Sequence, residues 1–527
     1  MRPGPRGVGL LLLLSSLLQS SCREDRRPAS QPEPGPRQGG VLRLALTEPS
    51  GLDPARAEDT YQGFVIAQIF EGLVNLDANL NVVPAIARSW LVESGGLVYH
   101  FVIRPGARFH NGRPVTAEDV AWSFLRAAKT PGGFAREHMA HIVGGLAAMA
   151  GEAPTISGVR VDGPQALTIT LVEPYAPFLN VLATAQMRIV PRESVLGPGA
   201  DFAHHPVGSG PFQLDEWRRG ERIVLTASDA YWKGRPYLDR VEIDVAPGHD
   251  DRVFEAFLNG DVDLAAFGKA DRQRVPAGAT VVQRLEMAVT CLGLNVAAPP
   301  FDDPRVRRAA ALSLDRDAIL EASGRVAVPT RGIVPLGMVG GPPQVLAPSR
   351  DADEAREALE HLGGRKPAVA ELWSNGTSPR TRATAQAIGR NLESVGIPVR
   401  HHAVSWPALV ETVDAAKAPA YLMTWVADTP DRDSFLGVLF HSRGASNYLH
   451  YADEEVDSLL AAARRDMDPA ERIRLYDEVE RRVGAANVLI PLFSEQSSYA
   501  VRPGLEGVAV DPMGQISLAL VYWESPR

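Results

Sequence analysis

The run "VYHFVIRPGARFHNGRPVTAEDVAWSFLRAA", Val98–Ala128, joins three local patterns. Val98–Ile103 is short, β-branched and aromatic, which predicts a strand. Pro105-Gly106 and Asn111-Gly112 then supply the backbone angles that tight turns demand. Thr116 caps the next segment, with Asp119 three residues on, and Val120 and Phe124 fall on one face of a helix. Strand, connector and helix in one run point to an α/β chain.

The same alternation continues on both sides. "LTITLV" (Leu167–Val172), "RIVLTA" (Arg222–Ala227) and "VEIDV" (Val241–Val245) have strand character. In "DPAERIRLYDEVERRV", Asp468, Pro469 and Glu471 take the cap, first and third helical positions, and Ile473, Tyr476, Val479 and Val483 come after them at helical spacing. Asp303 and Pro304 open another helix in the same way. The chain has 527 residues, 45% of them hydrophobic and 22% charged, which is ample for several lobes.

The N-terminus has the form of an export signal. Arg2 and Arg6 precede the apolar stretch Val8 to Leu18, and Ser20 and Ser21 precede Cys22. That stretch is about half of the roughly 20 residues a spanning helix needs. Cys22 resembles the acylated cysteine of a bacterial lipoprotein, although Gln19 stands where such signals carry an aliphatic residue; a plain secretory signal is the alternative. Residues 23–38, rich in Pro, Arg, Glu and Ser, read as a flexible tether. Cys291, the other of 2 cysteines, sits in the apolar run "AVTCLGLNV" and reads as a small core residue without a disulfide partner. The formal net charge of -9 argues against nucleic acid as a partner.

Four segments resemble, in order and spacing, the dipeptide-, oligopeptide- and nickel-binding solute receptors of bacterial ABC importers, the family 5 extracellular solute-binding proteins. They are Val82–Phe124, His205–Ile243 with "GSGPF", Cys291–Leu320, and "TWVADTPDRDSFL" (Thr424–Leu436). "GLDPARAEDTY" and "IFEGLV" extend the likeness over essentially the whole mature chain. The resemblance implies a two-lobed, class II periplasmic-binding-protein fold. Lobe I takes residues 39–70, 184–285 and 497–527, with an inserted subdomain over 71–183, and lobe II takes 286–496. It further implies capture of a peptide or peptide-like solute by lobe closure, delivery to ABC permease subunits, a periplasmic or cell-envelope location with a lipid anchor at Cys22, a monomer, and no cofactor. Gly208 and Gly210 of "GSGPF" either let backbone approach at a crossover or ligand, or only turn corners.

In "LMTWVADTPDRDSFLGVLFHS", Leu422–Ser442, an apolar run ends on Trp425 and meets Asp428, Asp431 and Asp433 before a helical pattern resumes at Phe435. The resemblance implies that Asp428 receives a ligand's amino group, because a carboxylate in a dry cleft pairs strongly with ammonium if hydrogen bonds complete the site. Locally, the acids also suit a helix start, where negative charge meets the dipole. By the same likeness Trp425 and Trp406 line side-chain pockets, Glu58 and Thr60 border the ligand backbone, and Phe134 is an aromatic lid. Asn375 stands where dipeptide binders carry an arginine, and Val413 and Leu422 where oligopeptide binders carry two. A buried carboxylate without a cation is costly, so the clamping of a very short peptide's end is not expected.

A metal chelate, haem or other non-peptide solute is the runner-up ligand, and a secreted hydrolase or an envelope sensor the alternative of another class. The chain has no G-x-S-x-G elbow, H-E-x-x-H, S-x-x-K or phosphate loop, and it is expected not to be an enzyme. His138 and His141 lie at i and i+3, while His204-His205 and His401-His402 are adjacent pairs. Neighbours in a strand point to opposite faces, so neither pair is expected to chelate alone, and no metal site is assigned.

Overall fold

A computed structural model describes residues 36–197, 199, 201–245, 250–338 and 347–525; the export signal, Cys22 and most of the tether lie outside the described residues. The run Val98–Ala128 folds as its sequence predicts. Tyr99, Phe101 and Ile103 are buried on one face of the strand Val98–Ile103 while its other residues are partly exposed. The helix Ala117–Lys129 opens with a capping box between Thr116 and Asp119 and buries Val120, Phe124 and Ala127. Phe124 is almost wholly removed from water, a burial worth roughly 1.5–3 kcal/mol. This helix packs on an antiparallel sheet ordered Ala87–Glu93, Val98–Ile103, Ala166–Thr170, Val159–Gly163.

A second four-stranded sheet, ordered Val41–Leu46, Arg240–Val245, Arg222–Ala227, Phe212–Arg218, shares its core with the helix Thr60–Ile69. The largest sheet runs Leu264–Ala266, Leu489–Val501, Thr280–Leu294, Ala420–Val426, Ala370–Asn375, Val399–Val404, with Ala327–Pro329 also paired to Leu489–Val501. Helices cover both faces of its later strands, giving one core around Phe435, Tyr476 and Val479 and another around Phe301, Ile388 and Leu422. The helices at Asp303-Pro304 and Asp468-Pro469 start where the sequence places them, each with the aspartate accepting a backbone N–H.

The strands Thr280–Leu294 and Leu489–Val501 tie these bodies together. Thr280–Leu285 pairs with Gln496–Val501, next to Leu264–Ala266 and the core of the sheet that contains Val41–Leu46. Val289–Gly293 pairs with Leu489–Ser494 and, on its other side, with the strand Ala420–Val426. Between the two stretches the register shifts, from Leu285 to Val289.

The "GSGPF" glycines take their place for a reason internal to the fold. The Gly210 N–H donates to the Ile69 carbonyl (2.8 Å), and a Cβ on Gly208 would lie 1.9 Å from that same oxygen. His110, from the connector "RFHNGRP", bridges the motif. Its Nδ1 accepts from the Gly208 N–H (3.3 Å) and its Nε2–H donates to the Gly210 carbonyl (3.1 Å). Burial lowers the His110 pKa, which holds the neutral form this bridge needs. The close approach is therefore made to the chain itself. Gly208→Ala is expected to lose up to about 3 kcal/mol of stability, read as a lower urea midpoint; an unchanged midpoint would show that the backbone there separates at no cost.

Candidate functional site

The strand Ala420–Val426 pairs antiparallel with Thr280–Leu294 and parallel with Ala370–Asn375. Beyond its carboxyl end the chain makes a short loop and enters the helix Asp433–Phe440, two residues earlier than the sequence pattern indicates. The charged groups of that loop, with one exception, have visible partners. Asp431 accepts from Arg472 (2.8 Å) and from the Asp433 N–H (3.0 Å). Asp433 pairs with Arg464 (2.8 Å), and Arg432 with Asp477 (2.6 Å). Asp431, Arg432 and Asp433 are all buried. Breaking one such buried pair costs about 3–5 kcal/mol, so these ions rivet the loop to the helices Glu454–Arg465 and Pro469–Ala486. The helix-start reading of the acids thus applies to Asp431, whose carboxylate meets the first helical N–H.

Asp428 stands apart. Its side chain is exposed, and among the described residues its carboxylate meets neither a hydrogen-bond donor nor a cation. The surrounding protein still removes enough water to raise its pKa to about 6. Exposure and desolvation coexist where a group is touched by water within a concave wall. Thr429 is held behind it by Ser434, Oγ1 to Oγ at 2.6 Å. The Trp425 indole N–H donates to the Ser434 carbonyl (2.8 Å), and its ring packs against the core around Phe435 and Tyr448. Trp425 therefore fixes the loop that presents Asp428.

Trp406 and Asn375, far apart in sequence, come together at one cavity of about 280 Å³. Asn375 ends the strand Ala370–Asn375 and accepts from the Thr377 N–H and hydroxyl. Ser378 caps the next helix, Pro379–Val395, and Thr381 and Thr384 from its first turns line the cavity. Trp406 is 47% exposed at the start of the helix Trp406–Asp414, a rim position. Val413 is core, and Leu422 is a buried wall of the cavity. Arg325, which sequence reasoning missed, is the charged residue of the lining among the described residues. It comes directly after the left-handed cap Gly324 in "ASGRVAVP", a place with no local sign of ligand chemistry.

Glu58 and Thr60 flank Asp59, the cap of the helix Thr60–Ile69. Both are exposed, the Glu58 N–H donates to Gln62 Oε1 (2.8 Å), and neither lines the cavity under Trp406. Phe134 opens the helix Phe134–Met139, and its side chain lies outside the described residues. Cys291 is a buried free thiol whose pKa burial pushes up.

The histidines divide among different partners. His401 meets Ser374 (2.8 Å), while His402 pairs with Glu371 and stacks on Trp373. His204 and His205 stand in a turn, which corrects the strand argument applied to them; His204 is held by Asp201. His138 and His141 stack with Tyr175. Among the described residues no group of three metal-ligating side chains converges, and no helix is long and apolar enough to cross a membrane.

Known proteins share this architecture. The chain is 27% identical over 496 residues to Di/tripeptide-binding protein 2 of Pseudomonas aeruginosa, covering 88% of this chain and 91% of that one. It is 27% identical over 482 residues to the glutathione-binding protein GsiB of Salmonella typhi, covering 88% and 90%. The structure of DppA from Helicobacter pylori in complex with the peptide STSA superposes with a TM-score of 0.77 at 24% identity, covering 93% of this chain and 99% of that one. The fold is the two-lobed α/β architecture of periplasmic binding proteins. The model of "Bacterial extracellular solute-binding proteins, family 5 Middle" matches residues 81–447, and the chain belongs to that family.

Proposed function

We propose that this protein is the substrate-binding component of an ABC importer, which captures a peptide or peptide-like solute between its lobes and hands it, unaltered, to a membrane permease. One observation carries the reading: a loop riveted by three ion pairs presents a single carboxylate, Asp428, without a partner among the described residues. A rigid, partly desolvated carboxylate is suited to a ligand ammonium, since the cost of ordering and drying it is met before binding. Closure turns about the strands Thr280–Leu294 and Leu489–Val501, near the boundaries 285/286 and 496/497, and ligand selects the closed state. The register shift between Leu285 and Val289 supports that position. The inserted subdomain over 71–183 rides with lobe I, and Glu58 and Thr60 border the ligand from that lobe.

The location is inferred from the family and from the relatives. One of them, with 26% identity over 98% of this chain, bears the name Peptide transport periplasmic protein SapA. The protein works in the periplasm as a monomer, tethered by lipid at Cys22. Cys22→Ser is expected to move it from the membrane to the soluble envelope fraction and to remove the lipid mass; an unchanged distribution would leave a plain secretory signal.

Mass spectrometry of solute co-purifying with the mature protein tests the ligand class directly, and turnover of that solute would overturn capture without chemistry. Asp428→Ala is expected to weaken binding at least tenfold, about 1.4 kcal/mol, measured by calorimetry; equal affinity would remove Asp428 from the site.

The pH dependence has a fixed sign. Only the ionised Asp428 attracts ammonium, and its pKa in the unliganded protein is about 6. Affinity is therefore full above that value and falls toward tenfold per unit below it, while deprotonation of a peptide α-amine lowers it again above about 8. Asp428→Asn should flatten the acid limb, and an acid limb that persists in the variant would assign it to another group.

A further inference from the structure

The cavity beneath Trp406 lies at the carboxyl ends of two parallel strands. Ala370–Asn375 has Val399–Val404 on one side and Ala420–Val426 on the other. The chain crosses first to one side and then to the other, so its connections diverge here and leave a crevice at a topological switch point. Its volume of about 280 Å³ is at the small end for a ligand site, which suits one substituent of a solute and not a whole solute.

The charge in this cavity is already engaged. Arg325 Nη1 donates to Glu495 Oε1 (3.1 Å) and Nη2 to the Thr381 hydroxyl (3.3 Å). Thr424 and Thr290, cross-strand neighbours, join hydroxyls at 2.6 Å, and Thr290 passes a hydrogen bond to the same Glu495 oxygen (2.6 Å). Glu495 is only 12% exposed, so it depends on this cation. An entering carboxylate would draw Arg325 away and strand Glu495. An entering ammonium would face the guanidinium. A neutral group that donates and accepts meets neither cost. Asn375, the serine and threonine hydroxyls, and the buried Arg325 Nε–H, which lacks a partner among the described residues, provide both kinds of contact.

We propose that this cavity is a specificity subsite for an uncharged hydrogen-bonding group of the solute, a hydroxyl or primary carboxamide, and that Glu495 imposes this choice by holding the charge of Arg325. The inference rests on the proposed capture of a peptide-like solute at Asp428. Thr424 and Asp428 are four residues apart, at most about 14 Å of extended chain, so a tetrapeptide spans both.

The test uses the full mature protein and two probes. In the first, calorimetry monitors alanine-based tetrapeptides with a free amino terminus, each position carrying in turn Gln, Ser, Glu, Lys or Leu. At one position Gln or Ser should bind at least about tenfold better than Glu or Lys, and Glu495→Gln should reverse the Gln-to-Glu preference there alone. In the second, fluorotryptophan-labelled protein is titrated with acetamide and with acetate while the Trp406 resonance is monitored. Acetamide should shift it in the native protein and in Asp428→Ala, and acetate should do so only in Glu495→Gln. A native protein that takes acetate as readily as acetamide, or Glu as readily as Gln, overturns the inference even if Glu495→Gln fails to fold. Silence of every peptide together with an acetamide shift would instead defeat the peptide reading and leave the subsite standing.

Discussion

Two strands have to serve two bodies. Thr280–Leu294 and Leu489–Val501 hydrogen-bond to each other near both ends, yet their early and late halves bury side chains in different cores. A continuous ladder resists stretching but tolerates twist, and a register shift lets the strand bend between the stretches that each core holds. The remaining architecture depends on this. The strand Ala420–Val426 is aligned by Thr280–Leu294, so the position of Asp428 beyond its end is set by the same pairing that joins the bodies.

Fixing a loop that carries four charged residues within six positions poses an electrostatic problem. Asp428, Asp431, Arg432 and Asp433 would repel or demand water if left to themselves. The fold answers by drawing counter-ions from outside the loop: Arg464 and Arg472 for the aspartates and Asp477 for Arg432. Burial raises the Asp433 carboxyl and Arg464 opposes that rise, so the cation offsets the cost of keeping this carboxylate out of water. Asp428 receives no such partner among the described residues, and its raised pKa is the cost of leaving it so.

Much of the scaffold was legible because its signals are local. Thr116 with Asp119, Asp303-Pro304 and Asp468-Pro469 announce helix starts within four residues, and the structure places all three. The alternation in Val98–Ile103 is likewise complete in six residues. The site was legible only where it too is local. The conjunction of Trp425 with the acids was visible, but the ring's task of holding the Ser434 carbonyl depends on how the loop turns. Arg325 was invisible because its meaning comes from Glu495, 170 residues away in sequence, and from Thr381 on another helix. Gly208 and Gly210 left two readings open, close backbone approach or the mere turning of a corner, since only the position of Ile69, distant in sequence, decides between them.

In the proposed reading, the contrast between Asp428 and Arg325 gives the site its character. Both are ionic groups beside one strand, Asp428 beyond its end and Arg325 in the cavity that Leu422, Met423 and Thr424 line. One charge is left without a partner among the described residues and is partly desolvated; the other is bound to a largely buried carboxylate. If both were unpaired, any zwitterion of the right length would satisfy them, and selectivity would reduce to charge spacing. Neutralising one end converts that end from a charge reader into a reader of hydrogen-bond pattern. Hydrogen-bonding pockets discriminate well because a mismatched group leaves buried donors and acceptors unsatisfied, at about 1–3 kcal/mol each. In the proposed reading, the charged end favours capture and the neutral end favours choice.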